Sequence, residues 1–267
     1  MEIIIRPTPT HAARLVARLV VTRARATPQL VLGCATGRTM DPVYAELVTA
    51  HRAGEVDLSG LTTFNLDEYV GLPPHDPRSY HHYMRERLFE PVGLPAERTH
   101  LPNGMAEDLA AAAAAYEQRI RDVGGIDLQL LGLGVTGHIG FNEPLSSLMS
   151  RTREKALTPE TRAQNAGLFG GDPQAVPKRA VTMGVGSILD AREVVMLVTG
   201  GAKASVLAAA TEGPITARIS ATALQLHRHC VVVVDEAAAT ELAGSDYYRF
   251  LYAEEPEWAP YRADPTL

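Results

Sequence analysis

Apolar residues follow two rhythms along this chain. Glu2–Arg6 carries three consecutive isoleucines and reads as a short strand. Leu30–Cys34, Leu61–Leu66, Asp127–Leu133, Val194–Val198 and Val231–Val234 are apolar runs with little alternation, as expected of strands covered on both faces. Between them the spacing turns helical. Ala12, Leu15, Val16, Leu19 and Val20 predict a helix over His11–Ala26. Asp41 as N-cap, with Pro42 at the first helical position, predicts one to about Arg52. Glu107–Val123 is an alanine-rich helix, Ala202–Ala210 another, and Glu236–Leu242 begins a further one. Strands alternating with helices predict one α/β domain over residues 1–267, its mostly parallel sheet carrying helices on both faces. Residues 151–179 show little strand signal and several turn formers. They read as an excursion from the sheet, either a lid or an oligomer contact.

Composition narrows the function. Apolar residues make up 46% and charged residues 21% of 267 positions, the balance of a globular protein with a sizeable core. The net charge of −6 and the lack of a dense Lys/Arg run disfavour a general nucleic-acid or anionic-membrane surface. Any anion site is therefore local. Cys34 and Cys230 sit in apolar runs and are expected to be buried, reduced thiols. The apolar part of MEIIIRPTPT is short for a secretory signal, and no run approaches a membrane span. The cytoplasm is the expected compartment.

Ligands of open parallel sheets bind beyond the carboxyl ends of the strands. Polar, glycine-flanked clusters fall at four such ends: Thr36–Thr39, Asp67–Tyr69, Gly132–Glu143 and Thr199–Lys203. In the first, Gly37 admits a close ligand, Thr36 and Thr39 offer hydroxyls, and the next helix points its N-terminus at the loop, which suits an anion. A plain turn is the alternative, and Arg38 is either a bidentate phosphate ligand or a solvated arginine. Asp67 is a general base or a turn cap. His138 lies between Gly137 and Ile139, and Glu143 follows in Asn142-Glu143-Pro144. That glutamate suits a partner that fixes the histidine tautomer and leaves the other ring nitrogen to a substrate. Lys203 follows Gly200-Gly201, either reaching an anion at the helix start or standing in solvent. His81 and His82 are adjacent and point to different sides, and no HxxxH or CxxC pair exists, which disfavours a metal site; the lack of a G-x-S-x-G elbow disfavours a nucleophilic serine.

At these residues the sequence resembles the isomerising glucosamine-6-phosphate deaminase family. The matching stretches are FNLDEYVGLP (Phe64–Pro73), GHIGFNEP (Gly137–Pro144), SSLMSRTR (Ser146–Arg153), GVGSILDA (Gly184–Ala191) and LQLHRHCVVVVDE (Leu224–Glu236). The resemblance implies a doubly wound fold and conversion of an amino-sugar 6-phosphate to a ketose 6-phosphate and ammonia, with no metal or cofactor. It implies Asp67 as the base between carbons 2 and 1, His138 as the ring-opening acid/base and Glu143 as its carboxylate partner. It also implies Thr36, Gly37 and Thr39 as the phosphate loop and Lys203 as a phosphate ligand. Ser146, Ser147, Arg153 and Lys155 match an allosteric sugar-phosphate site of some hexameric members, and the family suggests a trimer or hexamer.

Three positions depart from the family pattern. Thr136 stands where an aspartate is usual, Arg38 where a small residue is usual, and Gly167 where a phosphate-binding arginine is usual. Arg38 either replaces the lost arginine or marks an altered substrate. A non-catalytic sugar-phosphate sensor is the reading from another class, and it leaves the acid/base set unexplained. A lactonase reading leaves DEYVG unexplained.

Overall fold

The computed structural model describes residues 1–264 and 266–267. In chain order its elements are β1 (Glu2–Arg6), α1 (Pro9–Ala26), β2 (Val31–Cys34), α2 (Asp41–Arg52), β3 (Thr62–Asn65), β4 (Asp67–Tyr69) and α3 (Tyr80–Met84). These are followed by β5 (Thr99–His100), α4 (Leu109–Asp122), β6 (Leu128–Gly132), β7 (Arg153–Ala156), α5 (Pro159–Asn165), β8 (Arg179–Thr182) and α6 (Val185–Leu189). The chain then forms β9 (Glu193–Val198), α7 (Ala204–Thr211), β10 (Cys230–Asp235) and α8 (Ser245–Glu254).

Seven strands form one sheet in the order β1-β10-β9-β6-β2-β3-β5, every pair parallel. The central strands are buried along their length, because helices cover both faces. After β5 the chain turns back and adds β6 on the other side of β2. The strand order therefore reverses between β2 and β6, making the crevice at which doubly wound sheets place ligands.

Local signals set the helix ends. Thr8 caps α1 by accepting the His11 N–H, and Asp108 caps α4 by accepting that of Ala111. Asp41 departs from expectation: Met40 occupies the cap and Asp41 lies in the first turn, its carboxylate 2.8 Å from the Tyr83 hydroxyl. The segment Glu236–Leu242 forms only a 3-10 turn, and α8 starts at Ser245.

A second sheet departs further. Asp67–Tyr69 is no extension of β3 but a separate strand, β4, paired antiparallel to β8, which also pairs β7. The stretch 151–179 thus contains a strand, β7, before it runs out into α5. Tyr69, Leu72, Tyr80, Phe141, Leu157, Ala166, Phe169, Val176 and Ala180 pack as a small core apart from the main one. Cys34 and Cys230 are free and buried, and burial pushes each thiol up to about 12. Among the described residues no helix is long and apolar enough to cross a membrane.

Candidate active site

The four clusters leave the carboxyl ends of β2, β3, β6 and β9. In the sheet order these are four adjacent strands, β9-β6-β2-β3. Sheet topology therefore gathers them on one edge.

Asp67 opens β4 opposite Thr182 and is 5% exposed. Burial, with a smaller contribution from the neighbouring Glu68 charge, pushes its carboxyl up to about 8. Glu68 has the opposite environment. Its carboxylate accepts the backbone N–H groups of Tyr69, Tyr80 and His81 and lies 2.8 Å from His81 Nδ1. His82 turns the other way, toward Glu86. One buried carboxylate thus carries the structural bonds, and its neighbour is left with few.

The turn after β6 that carries His138 brings Gly140 against this strand. A side chain at Gly140 would place its Cβ 3.5 Å from Asp67 Oδ2 and 3.0 Å from Thr182 Oγ1, and φ there is +55°. Glycine therefore permits the close approach of the two segments that carry Asp67 and His138. The Phe141 N–H also donates to Thr182 Oγ1 at 3.0 Å. The His138 ring folds back over Gly134, where a Cβ would lie 2.1 Å from Nε2.

His138 Nδ1 is 2.9 Å from Thr136 Oγ1 and 3.6 Å from Glu143 Oε2. Burial lowers the imidazole pKa; the Glu143 charge opposes this and the Lys203 charge adds to it. A neutral ring with its proton on Nδ1 satisfies this geometry and leaves Nε2 as acceptor. Glu143 Oε1 accepts the Thr158 N–H at 3.0 Å, while Oε2 is buried with no hydrogen-bond partner. Lys203 Nζ is buried without one too. An unpartnered ammonium beside a neutral histidine favours an anionic ligand. Burial accordingly lowers the Lys203 pKa.

The loop after β2 is closed by the Met40 N–H to Gly37 carbonyl bond. Tyr44 donates its hydroxyl to the Ala35 carbonyl at 2.6 Å, and the Tyr83 hydroxyl lies 3.2 Å from the Gly37 carbonyl. Thr36 and Thr39 are half-buried and Arg38 is exposed. Gly167 is exposed, with open space where a Cβ would stand.

The four residues matched to an allosteric site divide. Arg153 donates to Asn142 Oδ1 at 2.9 Å, and Ser146, which is buried, bonds the Glu143 carbonyl through its backbone N–H. Ser147 is exposed, and Lys155 lies on β7 opposite Ala180.

Several positioning residues escaped the sequence reading. Asn142 donates to the carbonyls of Ile139 and Met183 and ties the His138 turn to the end of β8. Its position between Phe141 and Glu143 was the only signal, and spacing does not reveal a clamp. Asp235, ending β10, accepts the N–H groups of Gly200 and Ala238 and shapes the Lys203 turn. Leu145 has φ of +69°, the one non-glycine residue with positive φ among the described residues, two positions past Glu143. Among the described residues no His/Cys/Asp/Glu group is arranged to hold a metal ion.

Residues 7–233 match the family described as glucosamine-6-phosphate isomerases/6-phosphogluconolactonase. The chain is 48% identical to a glucosamine-6-phosphate deaminase of Streptomyces coelicolor, over 97% of this chain and 99% of that one. It is 50% identical to one from Rhodopirellula baltica, over 91% and 96%. A solved monomeric glucosamine-6-phosphate deaminase superposes with a TM-score of 0.88 at 38% identity, covering 90% of this chain and all of the other. A 6-phosphogluconolactonase from Trypanosoma cruzi, 21% identical with a TM-score of 0.73, shares the fold. With a family model matched over residues 7–233 and relatives at 48–50% identity over nearly their whole length, the chain belongs to the glucosamine-6-phosphate isomerase/6-phosphogluconolactonase family.

Proposed function

We propose that this chain converts glucosamine 6-phosphate and water to fructose 6-phosphate and ammonia. The observation that carries the reading is the meeting of Asp67 and the His138 turn at Gly140, with the unpartnered Lys203 ammonium close enough for its charge to act on His138. The relatives at 48–50% identity bear glucosamine-6-phosphate deaminase as their name.

In this reading the phosphate sits on Thr36–Thr39 and meets Lys203. His138 Nε2 takes the proton of the carbon-1 hydroxyl and returns one to the ring oxygen, opening the sugar. Thr136 and Glu143 hold the ring by Nδ1 and share the charge that develops on it. Asp67, as carboxylate, removes the carbon-2 proton and delivers it to carbon 1, while one amine proton passes to the carbon-1 oxygen, which leaves a carbon-1 hydroxyl and an imine at carbon 2. Water adds there, and ammonia departs. Holding the sugar by its distant phosphate supplies orientation that a carboxylate alone lacks. A homo-oligomer, with Ser146, Ser147, Arg153 and Lys155 at a regulatory contact, and a cytoplasmic location complete the proposal. A monomeric solved relative makes the oligomer a point for direct measurement by sedimentation.

A related amino-sugar phosphate is the second reading, favoured by Thr136 at His138 Nδ1 and by the exposed Arg38 on the phosphate loop. Ammonia release measured with a panel of hexosamine 6-phosphates separates the two. Turnover best with glucosamine 6-phosphate supports the first reading, and preference for another epimer supports the second. Binding of all without turnover of any overturns both and leaves a sugar-phosphate sensor.

A further inference from the structure

The His138 turn lies across a row of the second sheet. Thr182 on β8 pairs Asp67 on one side and Arg153 on the other, so the three side chains share one face. Three successive turn residues meet this row in order. Gly140 stands against its Asp67–Thr182 end, the Phe141 N–H donates to Thr182 Oγ1 in the middle, and Asn142 Oδ1 accepts from Arg153 at the far end, at 2.9 Å. Asn142 is fully buried. Its Nδ2 donates to the Ile139 and Met183 carbonyls, both at 2.9 Å, so its oxygen is the atom that needs a donor. Arg153 supplies it. The neighbouring Arg151 and Arg179 are ion-paired, the first to Glu117 and Asp190 and the second to Glu154. Arg153 is half-buried and, among the described residues, bonds neutral oxygens only, those of the Asn142 side chain and the Arg151 backbone.

We propose that Arg153 is a positioning residue of the active site: by donating to Asn142 Oδ1 it locks the amide that clamps the His138 turn to β8, and so sets the distance between that turn and Asp67. The inference rests on the deaminase reading above. The lock works by exclusion. Turned over, the amide would set its oxygen against two carbonyl oxygens and its NH2 group against the guanidinium. The guanidinium charge makes the bond to Oδ1 stronger than a neutral one. Without Arg153, Oδ1 is buried and unpaired, and the Asn142 side chain gains by swinging out of its site. The turn then loses its tie to Met183 and keeps the Phe141–Thr182 bond alone at this row. Asp67 and His138 act on neighbouring atoms of one sugar, so their spacing governs turnover, whereas the distant phosphate governs binding. This role operates within a single chain and needs no ligand at Arg153.

A double-mutant cycle on the full chain tests the lock, with glucosamine 6-phosphate as substrate. Arg153→Met is expected to lower kcat about tenfold, the worth of a displacement of about half an ångström between reacting groups, with KM within about twofold. Asn142→Ala is expected to cost at least as much, and adding Arg153→Met to it less than about a further twofold. Arg153→Lys keeps a donor and should recover most of the kcat. Effects of the two single changes that multiply in the double variant overturn the lock. So does an Arg153→Met enzyme with unchanged kcat, or with a raised KM alone. Hydrogen exchange of the Phe141 amide needs no substrate. Arg153→Met is expected to speed it about tenfold, and unchanged exchange overturns the lock whatever the turnover. A wild type that releases no ammonia, with Phe141 exchange still faster in Arg153→Met, overturns the deaminase reading and leaves the lock standing.

Discussion

Two regions of this molecule bury carboxylates, and they treat them in opposite ways. Between α4 and β7, Glu117 is 5% exposed and fully bonded. It accepts from Arg151 through two nitrogens, from both the N–H and hydroxyl of Thr152, and from the Ser187 hydroxyl. Those bonds outweigh burial and lower its pKa. At the sheet edge Asp67 is equally buried, its carboxyl raised to about 8, and Glu143 keeps one oxygen without a partner. A satisfied buried charge holds elements together. An unsatisfied one leaves bonding capacity for a ligand and costs stability until it is used. The contrast separates a structural carboxylate from catalytic candidates that composition alone does not distinguish.

Removing the proposed base gives the largest effect expected. Asp67→Asn should lower turnover by about 10³-fold or more and abolish carbon-2 proton exchange, with sugar-phosphate binding nearly unchanged. Retained solvent exchange at carbon 2 takes Asp67 out of the mechanism. The same variant should be more stable than wild type, by about 1 kcal/mol or more at pH 9 and by less at pH 5, in denaturant unfolding. The sign follows from the raised pKa. The folded state favours the protonated form, so that contribution is complete below the ordinary aspartate range and is lost as pH rises through about 8. By the same titration, kcat/KM should rise with pH toward 8 as the base form appears.

Glu117→Gln should do the reverse, destabilising by about 3 kcal/mol while turnover per folded molecule stays within about twofold. Its depressed pKa makes the wild-type contribution complete above the ordinary glutamate range and lost as pH falls through the lowered value. Loss of catalysis without loss of stability would erase the contrast between the two regions.

Lys203→Met should raise KM by about 30-fold, the worth of one charge-assisted bond to phosphate, and change kcat less. A KM that does not move removes Lys203 from the anion site. The smallest effect falls at Thr136. An aspartate there sets a charge against Nδ1 and should raise the His138 pKa by about one unit, read by imidazole proton NMR. A titration that does not shift shows that Thr136 and Nδ1 are uncoupled in solution.

Much of this was legible beforehand because its causes are local. Strands such as β9 and β10, buried on both faces, announce themselves as unbroken apolar runs, and α1 by spacing and its Thr8 cap. Asp67, His138 and Lys203 stood out because each follows such a strand beside turn residues. The three-residue β4 escaped because it is shorter than any periodicity, and β7 because Arg153, Glu154 and Lys155 are charged and its partner β8 lies beyond α5. Neither the Glu117 cluster nor the Arg153–Asn142 bond has a spacing rule, since their partners lie 34 to 70 and 11 positions apart.

The sequence by itself determined the alternation of strands and helices, the family and the short list of reactive side chains, because these depend on neighbouring residues and on motifs. Only the tertiary structure decided which buried carboxylates are satisfied, that Gly140 brings the His138 turn against Asp67, and that Thr158 of the excursion is bonded to Glu143. Desolvation and hydrogen-bond satisfaction belong to the packed surroundings of a group, and those are assembled from segments far apart in the chain.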